Sequence, residues 1–136
     1  MSIADIRDAL EIALASITPE IATAWESVAF EPTPGIPYQA VNLLFAEPEN
    51  PTMGGDFHRE RGIIQITLAY PIDEGPQALE ARAQLIRDAF PRAQTFTRNA
   101  ITVIIEKTPE ISPGQIDGDR RRVPVKIRFF ANITGG

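Results

Sequence analysis

The stretch from Arg61 to Phe90 constrains the fold most. Its first part places Ile64, Ile66, Leu68 and Tyr70 on one side of an extended segment, with Gln65 and Thr67 on the other. That alternation is the mark of a strand buried on one face. Pro71 and Gly75-Pro76 then punctuate the chain. Beyond them Leu79, Ala83, Ile86 and Phe90 recur at helical spacing, and Pro91 stops the run. A half-buried strand that turns at once into an amphipathic helix needs that helix to cover it. The pair therefore predicts helices layered on a sheet, with Gly75 as helix cap and Pro76 as first helical residue.

The rest of the chain extends this reading. Ile3, Ile6, Leu10, Leu14 and Ile17 form one stripe of an N-terminal helix that Thr18-Pro19 ends. Ile21 to Phe30 reads as a short strand or extended segment running into the turn chemistry of Glu31 to Pro37. Trp25 and Phe30 read as core aromatics. Tyr38 to Ala46 is a strand, with Val41, Leu43 and Phe45 alternating against Asn42 and Leu44. Glu47 to Arg59, with Pro48, Pro51 and Gly54-Gly55, has the composition of a mobile loop. Thr95-Phe96 suits a very short strand, and Ile101, Val103 and Ile105 a further one. Thr108 to Arg120 reads as a second long polar loop. Val123, Val125, Ile127 and Phe129 define a last strand, which Pro124 marks as an edge.

The order helix, strands, helix, strands favours an α+β domain. Its sheet is expected to be mixed but mainly antiparallel, with the two helices packed on one face. A doubly wound parallel sheet would need more crossover helices. At 136 residues, the chain is expected to form one domain over 1–136.

Charge and composition narrow the function. A net charge of −5 argues against general nucleic-acid binding, which requires a basic face to displace counterions. Apolar runs are too short to span a membrane. Asp5, Asp8 and Glu11 leave the N-terminus without the basic region of a secretory signal. With no cysteine there is neither a disulfide nor a thiolate metal site.

The residues that carry chemistry are sparse. His58 is the only histidine and reads as a surface or loop-packing side chain, with no second histidine to complete a metal site. Ser2, Ser16, Ser27 and Ser112 sit in no nucleophile-elbow pattern. Asp117-Gly118-Asp119 lacks the spaced ligands and closing Glu of a calcium loop and reads as a turn. Gly54-Gly55 precedes no helix and no Lys-Ser/Thr, so it is no phosphate cradle. The expectation is a non-enzyme with no cofactor and no metal. A small enzyme or ligand-binding domain using carboxylates is the remaining alternative of another class.

Interaction is the better use for two long Pro/Gly loops in a small domain. The charged residues that suit a subunit or tube interface are Glu47, Glu49, Asp56 and Arg59 in the first loop and Arg120, Arg121 and Arg122 at the start of the last strand. Opposite charges there would steer an encounter between copies. An unpaired edge at the Pro124 strand would offer a second contact.

Particular residues also resemble a known family. Trp25-Glu26-Ser27, Phe30-Glu31-Pro32 and a strand opened by Tyr38 resemble the N-terminal half of phage tail-terminator-like proteins. Gly62 to Ile66, with Tyr70-Pro71 and Gly75, is similar to their central strand and turn. Ala83, Ile86 and Phe90 fall at their second helix's apolar positions, and Val123 to Ile127 at their last strand. Two turns depart from the pattern: Arg92-Ala93 and Asn99-Ala100 stand where glycines are expected. The resemblance implies an α+β structural protein that assembles as a ring, usually of six copies. Such a ring caps the tail tube and presents a surface to the head. The implied partners are further copies of itself, the major tail-tube protein and head-tail connector proteins. The implied locations are the virion tail and, during assembly, the host cytoplasm. Another neck or head-completion component is the alternative within this class.

Overall fold

A computed structural model of the chain describes residues 2–50 and 57–134. It contains helix α1 (Ser2–Ala15), strands β1 (Ala22–Ala24), β2 (Tyr38–Phe45) and β3 (Phe57–Pro71), helix α2 (Gln77–Ala89), and strands β4 (Thr95–Arg98), β5 (Ile101–Ile105), β6 (Glu110–Ile111), β7 (Gln115–Asp117) and β8 (Arg120–Thr134). The strands form one sheet in the order β1-β2-β3-β8-β5-β4, with β6 and β7 also paired to β8. Among the described residues only β1 against β2 is parallel. The fold is thus α+β with a mainly antiparallel sheet, as the element order predicts.

Alternation decides which face is buried. Ile64, Ile66, Leu68 and Tyr70 of β3 lie beside Val123, Val125, Ile127 and Phe129 of β8 in one core, which Val41 and Leu43 of β2 extend. The helices close it through the predicted stripes: Ile6, Leu10, Leu14 and Ile17 at and after α1, though Ile3 at the helix start is exposed instead of buried, and Leu79, Ala83, Ile86 and Phe90 from α2. Pro76 is the cap of α2 and Gly75, with φ of 76°, turns the chain just before it. The helix therefore begins one residue later than expected. Trp25 packs half-buried against the core, whereas Phe30 lies outside it and packs at a tilt against Tyr38, with ring centroids 5.2 Å apart.

Three expectations need correction. The last strand is not an edge: β8 pairs along its whole length with β3 and on its other side with β5, β6 and β7. Pro124 is tolerated because in an antiparallel strand a residue's N and C=O point to the same side. Its carbonyl accepts from Ser112 N at 2.9 Å, so its donorless nitrogen faces the gap between β6 and β7. The break in that ladder falls where a donor is missing. Second, the polar stretch 108–120 is not a free loop but contributes β6, β7 and the first residue of β8. Third, β3 begins at Phe57, and Glu49 and Arg59 exchange backbone hydrogen bonds of 2.9 and 2.7 Å. The proposed mobile loop is therefore fixed at both flanks, while residues 51–56 lie outside the described residues.

The two turns that lack the expected glycines keep glycine-like geometry. Ala93 has φ of 73°, Asn99 of 50° and Ala100 of 69°. Asn99-Ala100 is the two-residue connection between β4 and β5, with positive φ at both positions as a type I′ turn requires. Asn99 gains a compensating contact, its amide donating to the Asp5 carboxylate of α1 at 2.9 Å. Ala100 has no such side chain. We expect Ala100→Gly to stabilise the protein by about 1 kcal/mol, because it removes the left-handed Cβ clash. An unchanged or lowered chemical-denaturation midpoint would contradict that assignment.

Candidate interaction surfaces

The long β3–β8 ribbon positions the charged residues singled out in the sequence. Each strand has 15 residues, and they pair from Phe57↔Thr134 to Pro71↔Arg120. Arg59 lies opposite Asn132 near one end, and Arg120, Arg121 and Arg122 occupy the other. At about 3.3 Å per residue these ends are about 40 Å apart. Within one subunit the two charged groups do not meet.

At the first end the charges pair locally. The Glu49 carboxylate lies 3.5 Å from Arg59 and 3.6 Å from Arg61. Arg59 also donates through Nε to Asn132 Oδ1 at 2.9 Å and lies over the Phe130 ring. Glu47 is exposed beside this cluster. Asp56 lies outside the described residues. His58, next in the strand, sits 3.0 Å from the Glu60 carboxylate. Glu47, Glu49, His58, Arg59 and Arg61 are within reach of solvent, unlike Glu60, so contacts here belong to the weak, screened class.

At the other end the three arginines have three environments. Arg120 is only 6% exposed. Its guanidinium lies over the Tyr38 ring and donates to the Ile36 and Thr33 carbonyls, each at 2.8 Å, and more weakly to Ala69 O at 3.4 Å. It thereby clamps the proline-rich turn 32–37 onto β2 and β3. Arg122 hydrogen-bonds Asp117 at 2.9 Å and also approaches Tyr38. Its pKa is raised, first by the Tyr38 hydroxyl and then by Asp117. Arg121 remains half-exposed. Adjacent arginines look equivalent in sequence, but strand alternation and the turn above Tyr38 separate them.

The clamp gives a direct expectation. Arg120→Ala should cost about 2–3 kcal/mol, the scale for hydrogen bonds from a charged donor whose acceptors are partly buried. Arg120→Lys should recover less than half of it, because an ammonium cannot fork to two carbonyls. Thermal unfolding of both variants checks this; a Lys variant as stable as the parent would remove the fork from the account.

Two further features were not read from the sequence. Arg82 lies on α2 within the buried stripe, three residues after Leu79, and donates to the Pro19 carbonyl. Burial lowers its pKa, with Tyr70 acting in the opposite direction. Its position in the stripe was the available signal. Glu26, in the turn after β1, accepts from Leu43 N at 3.0 Å and from Arg7 at 2.9 Å. It ties α1 to β2 beyond the end of β1. Those two contacts, the backbone one first, hold its carboxyl below the usual range.

The face of the sheet opposite the helices is amphipathic and open. Leu44, 54% exposed, lines a groove of about 270 Å³ with Ile63, Arg61, Glu106 and Arg128. Among the described residues no three His, Asp or Glu side chains gather as a metal-binding group. Among those residues no helix is long and apolar enough to cross a membrane.

The family described as phage tail terminator protein matches residues 5–129, and the chain belongs to it. One solved structure shares this fold, superposing with a TM-score of 0.81 at 22% identity and covering 96% of both chains. No curated protein matches the chain. Family membership makes this a structural protein of the phage tail, working among other tail components.

Proposed function

We propose that the protein assembles as a ring on the tip of the growing tail tube, halts tube polymerisation and forms the surface that joins the head. The observation that carries this is the family match, which runs over nearly the whole chain, from 5 to 129. The ring is taken to hold six copies, and its partners to be the major tail-tube protein on one side and head-tail connector proteins on the other. The charged ribbon ends fit those two axial contacts: Glu47 and Glu49 with Arg59 at one, Arg121 and Arg122 at the other. Arg120, buried in its own subunit, supports the second end from beneath. Exposed ion pairs are worth at most about 1 kcal/mol each, so assembly depends on the tube tip to concentrate the subunits.

The test is tail length. Phage lacking the gene should make overlong tubes, and the supplied protein should restore a single length, both read by electron microscopy. Tubes of unaltered length without the protein would end the termination reading. Arg121→Glu combined with Arg122→Glu should leave the circular dichroism spectrum intact and fail to restore length. Normal tails with that double variant would remove these arginines from the contact while leaving termination in place.

A further inference from the structure

Among the described residues β1 and β4 end the main strand order, and the two ends are unlike: β1 pairs only with β2, and β4 only with β5. The short β6 and β7 are also paired on one side only, with β8. An edge strand presents unpaired N–H and C=O groups that can take another strand. Beside β4, a groove of about 430 Å³ runs along α1, lined by Ala9, Ile12, Ala13 and Phe96. Ile12 is 51% exposed there, a helical isoleucine that its own subunit leaves uncovered. Beside β1 stands a matching projection. The turn Trp25–Val28 closes with a 3.1 Å hydrogen bond and holds Ser27 at φ of 65°. It lifts Val28 to 62% exposure, the second most exposed large apolar side chain among those described.

The charges beside the two edges are also complementary. Exposed Glu20 leads into β1, and exposed Arg92 and Arg98 flank and end β4. We propose that the β1 edge of one copy, with Val28 as its knob, docks on the β4–α1 groove of the next. The contact is heterologous, so repetition closes a ring if the rotation closes. Strand directions permit it. Tracing the pairings across the sheet, β1 and β4 point the same way. Rotation about an axis along the strands preserves that direction, so the junction is a parallel pair. The same axis leaves the ribbon ends on the ring's upper and lower faces.

This inference rests on the ring reading above and names its lateral contact. The chain has no cysteine, which makes cross-linking clean. Val28→Cys and Ile12→Cys are placed in one chain, which is oxidised in the presence of tail tubes. The expected result is a ladder of covalent oligomers that stops at the ring size, with neither single variant cross-linking. Arg98→Glu should slow the ladder about tenfold by placing like charges together, and adding Glu20→Arg should restore it. Covalent dimers from either single variant would mean a symmetric contact and overturn the proposal. Rings visible by electron microscopy without a ladder would overturn this contact but not the ring. Tubes that carry no rings at all would overturn both.

Discussion

Gly62→Val is expected to leave the protein unfolded at ordinary temperature, and Gly62→Ala to cost about 3 kcal/mol. Gly62 sits in β3 between Phe45 of β2 and Phe129 of β8 in the cross-strand register. The two rings close over it edge to face, with centroids 6.0 Å apart. A Cβ at this position would fall 2.5 Å from the Leu44 carbonyl oxygen and 2.8 Å from the Phe129 ring. The ring can turn aside; a neighbouring strand's carbonyl cannot without distorting the ladder. Branched atoms beyond Cβ add to both clashes, and a loss above about 5 kcal/mol matches the whole stability of a marginal domain. The components separate in a double-mutant cycle with Phe129→Leu. If the carbonyl dominates, Gly62→Ala remains costly in the Phe129→Leu background. Full recovery there would assign the whole effect to the ring, and a soluble, cooperatively unfolding Gly62→Val would refute the close approach.

Phe90→Ala should destabilise the protein by about 3–5 kcal/mol, the range for removing a fully buried aromatic ring from a core. Phe90 is 0% exposed and caps the end of α2, its N–H bonding back to Ile86 O at 3.2 Å. Its ring meets Phe96 of β4 at 5.3 Å between centroids. The void would therefore open between α2 and an edge strand, so β4 should lose hydrogen-exchange protection before the β3–β8 ribbon does. A urea midpoint that hardly moves would place Phe90 outside the core. Uniform loss of protection would show that β4 unfolds only with the whole sheet.

The function was legible only through resemblance. No spacing of residues states a structural role in a phage tail; scattered positions from Trp25 to Ile127 pointed to the family, and the match of its model to residues 5–129 established membership. The charged candidates show the limit of reading a site locally. Arg120, Arg121 and Arg122 form one run in sequence, yet one is a buried clamp, one is paired to Asp117 and one is half-exposed.

What the sequence determined by itself was the facing of each long element. Ile64 to Tyr70 at period two and Leu79 to Phe90 at helical period are buried as their patterns require, because backbone geometry alone sends those side chains to one side. The left-handed turns at Ala93 and Asn99-Ala100 were not so determined: alanine resists a positive φ, and pairing with β5 imposes it. Neighbours across the sheet are another matter. Pro124 marks a missing donor, but only tertiary pairing decides that the missing donor faces the gap between β6 and β7 and that β8 lies inside the sheet. Glu110–Ile111 and Gln115–Asp117 are too short and polar to announce strands; they become strands because β8 offers them a free ladder. The burial of Arg120 likewise needed Tyr38 beneath it and the Thr33 and Ile36 carbonyls above, groups 82 or more residues away in the chain, as the 84- and 87-residue separations of its two shortest hydrogen bonds record. Periodicity acts over a few residues, whereas register, edges and buried polar partners are set by contacts between segments far apart, and those exist only once the chain has folded.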